Sequence, residues 1–222
     1  MNIFRVFLES GLAAQIIMVI LIFFSVWSWA IFFKKFYELR GARRRGKTFL
    51  AAYNLYRTTK DYGKLTHLLE DNPHGRVLKK GIEEFNIVKS SNQSANPQFS
   101  EMVDNIRLVM EQTRLTEIEY LEGSLPTMST IITASPFLGL LGTVWGIMES
   151  FLAVRARGSA HITVVAPGIS DALITTVYGL LVALPALFFH NYLRTQANRI
   201  DDSMDKFIND AFVKFRRGLF ET

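Results

Sequence analysis

LAAQIIMVILIFFSVWSWAIFF, residues 12–33, runs for 22 positions without a charged side chain. A helix rises about 1.5 Å per residue, so about 20 apolar residues carry it across the roughly 30 Å hydrocarbon layer of a bilayer. Two further stretches meet this length: Gly123–Met148 has 26 residues without charge and Ala172–Phe189 has 18. The average composition, 49% hydrophobic and 20% charged, hides this partition. The expected fold is an all-α membrane protein in which three transmembrane helices extend into a helical region outside the bilayer. A soluble globular domain is excluded.

Basic residues give the orientation, because they remain on the cytoplasmic side. Arg5 precedes the first span, 16 Lys and Arg lie in 34–122, Arg155 and Arg157 lie in 155–161, and six lie in 194–222. The N-terminus is therefore expected outside and the C-terminus in the cytoplasm. The predicted segments are an N-terminal tail 1–11, a span 12–33 and a cytoplasmic helical region 34–122. A span 123–154, a short outer loop 155–161, a span 162–193 and a cytoplasmic amphipathic helix 194–222 follow. The first apolar run is too long for the roughly 7–15 residue core of a signal peptide, and its basic residues (Lys34, Lys35, Arg40, Arg43, Arg44, Arg45, Lys47) follow it rather than precede it. It is read as a retained span. The net charge of +5 reports this topology first, not a nucleic-acid partner. With no cysteine, disulfides, thiolate catalysis and Cys-based metal sites are excluded.

In the cytoplasmic region, Asn72-Pro73-His74-Gly75 reads as a turn, after which Leu78, Ile82, Phe85 and Val88 recur at helical spacing. Ser90–Ser100 reads as a polar loop. Ser100 is placed as the N-cap of a helix with Glu101 and Asp104 in its first turn. No breaker follows before Gly123 and Pro126, so that helix is expected to lead straight into the second span. In the tail, Ile200, Met204, Phe207, Ala211, Phe215 and Leu219 form an apolar stripe, suited to packing on the cytoplasmic domain. Gly41–Thr48 (GARRRGKT) matches the letters of a phosphate-binding loop. It lacks the preceding strand, so no nucleotide is expected, and Arg43, Arg44 and Arg45 read as a signal for topology and for anionic membrane lipid. His67 and His74 lack the pattern of a metal site.

The spans carry the remaining chemistry. Gly139, Gly142 and Gly146 let helix backbones approach closely in lipid, as helix-packing residues. Pro136 and Pro185 remove backbone donors and mark expected kinks. Asp171 stands at the outer end of the third span. It is either a functional intramembrane carboxylate or an interfacial one, solvated or paired with Arg155 or Arg157. Thr175 and Thr176 lie one turn deeper. Because spans two and three run antiparallel, Thr143 and Thr176 fall at similar depth and can line one polar path. Glu149 and His190 are weaker candidates, at the ends of their spans.

Ser135–Met148 (SPFLGLLGTVWGIM) resembles the second-span signature of the TolQ/ExbB family. Val165–Leu173 (VAPGISDAL), with Thr176, Gly179-Leu180 and Pro185-Ala186, resembles its third-span signature. The resemblance is close over about residues 124–193, and Trp27–Ile31 (WSWAI) agrees with it. It implies a homopentameric ring in the inner membrane of a Gram-negative bacterium, with the N-terminus periplasmic. The ring would enclose a TolR/ExbD-type single-span dimer, with a TolA- or TonB-type single-span protein at the periphery. Proton flow would drive partner against ring, with the proton-binding aspartate on the partner. Thr143 and Thr176 match the family's pore-facing threonines. Asp171 stands where Glu is usual, and Thr175 and Tyr178 replace smaller residues, which makes the proton path more polar. No enzyme activity and no cofactor are implied. The short tail before the first span favours the Tol-Pal branch, which maintains the outer membrane and its constriction at division. The alternative is the branch that energises TonB-dependent uptake of siderophores and vitamins.

Readings from other classes expect other features. A transporter permease expects an internal repeat and more spans. The flagellar stator proteins, distant cousins, expect four spans. A membrane enzyme needs a convergent nucleophile, base or metal set. A structural scaffold differs from the motor in that its threonine hydroxyls are dispensable.

Overall fold

The structure, a computed structural model, describes residues 10–56, 69–90, 98–158 and 161–220, with side chains omitted at 98–102 and 218–220. The described residues form five α-helices: α1 Leu12–Tyr56, α2 Pro73–Ser90, α3 Gln98–Glu122, α4 Leu125–Arg157 and α5 Ile162–Phe220. Three of them, α1, α4 and α5, are long and apolar enough to cross a membrane. At 45 and 59 residues, α1 and α5 have contour lengths near 68 and 88 Å, more than twice the thickness of a hydrocarbon layer.

The chain divides into two compact units. The first comprises 1–34 and 124–193, the second 35–123 and 194–222. In the first unit, Ile17 and Leu21 of α1, Ile131 of α4, and Val182 and Ala186 of α5 form the buried cluster, with Phe24, Ile132, Leu138 and Tyr178 packed against it. Trp29 and Phe32 of α1 also meet the Phe189 ring, at 4.6 and 4.1 Å. The outward faces are apolar too: Phe23, Val26, Phe137, Val144, Leu181 and Phe188 are all exposed. A helix apolar all round is what a lipid solvent selects.

The second unit packs as a water-soluble helical domain does, with apolar stripes inward and charges outward. Ile200, Met204, Phe207, Ala211 and Phe215, the tail stripe read from the sequence, are buried, while the side chain of Leu219 lies outside the described residues. Phe207 meets the rings of Phe49 and Tyr53 at 5.7 and 5.0 Å, and Phe215 meets Phe85 at 5.2 Å. Lys35 is only 4% exposed and donates to the carbonyl of Tyr120 at 3.0 Å, near the C-terminal end of α3. A cation suits that end of a helix, where unpaired carbonyls gather.

Three boundaries differ from the sequence reading. Asn72–Gly75, read as a turn, is instead a helix start: α2 begins at Pro73, and the Asn72 side chain accepts from the Gly75 amide at 2.9 Å. The helix expected to begin after Ser100 starts at Gln98. It does not lead straight into the second span either. α3 stops at Glu122, Gly123 and Ser124 form a turn, and α4 begins at Leu125 with Pro126 in its first turn. Proline is tolerated there because the first amides of a helix have no intrahelical acceptor. Gly41–Thr48 lies wholly inside α1, where successive amides bond carbonyls four residues back and cannot converge on a phosphate. His67 lies outside the described residues.

Candidate functional site

Every candidate of the sequence reading inside the spans falls in the first unit, and the glycines with Thr175 and Thr176 lie along the seam between α4 and α5. The seam is antiparallel and almost free of side chains. Ser135, Gly139, Gly142, Gly146 and Ser150, at steps of three and four, are buried along α4. They meet Gly179, Thr176, Thr175, Ala172 and Gly168 of α5 in descending order. A Cβ placed on Gly139 would lie 3.0 Å from the Cα of Thr176, and one on Gly179 would lie 2.6 Å from the carbonyl oxygen of Ser135. A Cβ on Gly146 would lie 2.6 Å from the carbonyl oxygen of Gly168. In lipid no hydrophobic effect draws helices together, so backbone approach and dispersion do.

The hydroxyls divide into two sets. Thr175 is fully buried inside the seam, its side chain against Gly142 and its hydroxyl donating to the carbonyl of Ala172 at 2.8 Å. Ser135 and Ser150 are buried likewise and donate to the carbonyls of Ile131 at 2.7 Å and Gly146 at 2.9 Å. Thr143 and Thr176 are half-buried at the seam's edge. The Thr176 hydroxyl crosses the seam and donates to the carbonyl of Gly139 at 3.1 Å, while that of Thr143 donates to the carbonyl of Leu140 at 2.6 Å. Thr176 stands opposite Gly139, so in this antiparallel pair Thr143 lies about one helical turn further along α4 than the level of Thr176, where the sequence reading placed the two at similar depth. Both are bonded to backbone carbonyls and can turn to a more demanding acceptor at the cost of a weak hydrogen bond.

Asp171 sits half-buried one turn from Thr175. Its carboxylate accepts from the Ser10 hydroxyl at 2.9 Å and from the Gly11 amide at 2.8 Å. The start of α1 therefore holds it, where the sequence offered Arg155 or Arg157. Glu149 is exposed and accepts from the Trp145 indole at 2.9 Å. His190 is half-buried, with Nδ1 3.5 Å from the Asn191 amide oxygen. Pro136 lies inside α4, and Pro167 and Pro185 inside α5; each lacks the amide that would bond the carbonyl four residues back. Among the described residues no group of His, Cys, Asp and Glu has the grouping of a metal site.

Sequence reasoning missed Ser10 and Gly11, which stand 161 and 160 residues from their partner. It also stopped the glycine stripe short: Ser135 and Ser150 continue the same spacing in both directions, with Gly179 facing the first and Gly168 the second on α5.

Comparison with known proteins adds the family. The model of the MotA/TolQ/ExbB proton channel family matches residues 69–206. The Tol-Pal system protein TolQ of Haemophilus influenzae is 33% identical over 225 residues, covering 99% of this chain and 96% of that protein. The TolQ of Pseudomonas aeruginosa is 31% identical over 188 residues, covering 82% and 79%. The Biopolymer transport protein ExbB of Salmonella typhimurium is 28% identical over 200 residues, covering 88% and 79%. Three apolar helices, a seam of small residues edged by hydroxyls, and a likeness that runs almost end to end have one explanation: the chain belongs to the MotA/TolQ/ExbB proton channel family.

Proposed function

We propose that the chain is the ring-forming subunit of a proton-driven motor of the Tol-Pal type, working with a TolR-type partner in the inner membrane of a Gram-negative bacterium. The observation that carries this reading is the presence of two half-buried hydroxyls at the edge of the α4/α5 seam inside otherwise apolar spans, Thr176 bonded across it to the Gly139 carbonyl and Thr143 about one turn further along α4. A homopentamer of such subunits turns these edges toward a central pore that holds the single helices of the partner dimer. A partner carboxylate there is neutral when protonated. When ionised it needs donors, which the two hydroxyls provide. One charge crossing the membrane field is worth about 2.3 kcal/mol per 100 mV, enough to bias rotation between near-equivalent ring positions. The tail 1–11 and loop 155–161 face the periplasm, and 34–122 and 194–222 face the cytoplasm, in keeping with the 22 of 25 basic residues in the latter two. The Tol-Pal assignment follows the TolQ relatives, and implies a TolA-type protein at the ring's periphery. Similarity to ExbB supports a second reading, a subunit for TonB-dependent uptake.

The test is native mass spectrometry of the full chain, co-expressed with the TolR-type chain of the same genome, followed by T143A and T176A in the assembled complex. Five subunits with two partner chains are expected, and either variant should cut partner-dependent proton uptake at least tenfold without loss of assembly. A monomer that ignores the partner, or full uptake in both variants, removes the reading. Detergent sensitivity of the outer membrane after deletion selects the Tol-Pal branch; loss of siderophore uptake selects the other.

A further inference from the structure

We propose that Asp171 is a clasp for the start of α1, a positioning residue and not a carrier of protons. Both of its oxygens are engaged: Oδ1 by the Ser10 hydroxyl at 2.9 Å and Oδ2 by the Gly11 amide at 2.8 Å. Gly11 is the residue whose carbonyl accepts the first helical bond of α1, from the Gln15 amide at 3.0 Å. Its own amide therefore belongs to the set of donors that a helix start leaves without an intrahelical acceptor. A carboxylate placed there satisfies the donor and meets the positive end of the helix dipole. The site is built from more than one side. Ser10 is 6% exposed, and the Gln15 side-chain amide closes over it by donating to its carbonyl at 3.0 Å. Glu149, the other carboxylate beside this turn, is held by the Trp145 indole. Its Oε2 would lie 3.0 Å from a Cβ at position 11, so only glycine fits between the two acids without displacing one.

The position of the clasp gives it a role. Asp171 immediately precedes Ala172, whose Cβ packs against Gly146, and lies one turn from Thr175 and Thr176. Fixing α1 to that stretch of α5 joins the third helix of the unit to the two-helix seam, and so sets where Thr176 stands. The consequence for proton flow rests on the motor reading; the contact itself does not.

An amide tests the idea, because Asn reproduces both hydrogen bonds without a charge. Its Oδ1 accepts from the Gly11 amide and its Nδ2 donates to the Ser10 hydroxyl. In the full chain assembled with its partner, D171N should keep proton uptake within about twofold of the parent with an unchanged pH profile, and D171A should lose at least tenfold. The chain has no cysteine of its own. The pair S10C/D171C should therefore cross-link in membranes under mild oxidant, read as a disulfide-linked peptide by mass spectrometry. Failure to cross-link overturns the clasp. So does a D171N variant as inactive as D171A while the S10C/D171C pair still cross-links, which assigns the residue's work to its charge. Full activity in D171A overturns it as well. Full activity in T143A and T176A, by contrast, removes the motor reading and leaves the cross-link standing.

Discussion

His74 is 3% exposed in the second unit, with Nε2 2.9 Å from the Ser203 hydroxyl and the ring 6.0 Å from that of Phe207. Among the described residues its Nδ1 has no hydrogen-bond partner, and it faces Gly46, where a Cβ would come within 2.9 Å. Burial pushes the imidazole pKa down to about 4. An unfolded chain binds the proton near pH 6.5, so between pH 6.5 and 4 the unfolded state carries more protons and stability falls as the pH falls. The loss is on the order of 3 kcal/mol if the whole interval is crossed. Thermal melts of the purified chain across that range should show the slope, and H74Q should flatten it. Two glycines make a second test at this scale. A methyl at Gly142 meets the Thr175 side chain, whereas one at Gly146 meets the carbonyl oxygen of Gly168. Overpacking of this kind costs about 1–3 kcal/mol. G142A should lower the melting temperature and be rescued in part by T175G. G146A should lower it further with no side-chain rescue, since only backbone movement can make room.

Among the elements, the distal part of α5 shows why some of the fold was legible in advance. Its stripe from Ile200 to Phe215 alternates with Asp201, Asp205, Lys206, Asp210 and Lys214, a contrast that water enforces. Phe207 is the centre of its contacts with Phe49, Tyr53 and His74. F207A should cost about 3–5 kcal/mol and expose α2 and α3 to limited proteolysis. The spans were legible for a simpler reason, the absence of charge over a bilayer's thickness. What could not be read inside them was direction. In lipid no polar face marks the outside of a helix, so Thr175 and Thr176 looked alike, yet one is sealed in the seam and the other stands at its edge. The break at Gly123–Ser124 falls at the breakers the sequence names, Gly123 and Pro126, but residue type alone does not say whether a helix bends there or stops. The partner of Asp171 was hidden because a hydrogen bond to a backbone amide leaves no signature in residue type.

For the molecule as a whole, the distribution of basic residues makes topology testable. In the cysteine-free chain, H161C should react with a membrane-impermeant maleimide added from the periplasmic side, and K89C only after lysis. The reverse pattern would invert the orientation drawn from charge. The α4/α5 seam has a thermal consequence as well. Gly, Ala and Ser have few rotamers to lose when packed, and lipid contributes no hydration change when they meet. Contacts of this kind carry little heat capacity, unlike the second unit, whose Phe, Tyr and Leu side chains leave water on folding. Cooling therefore weakens the second unit through its hydration, while the seam holds Thr176 against Gly139 nearly unchanged. A cell moved from warm to cold surroundings keeps this seam closed even as the second unit softens.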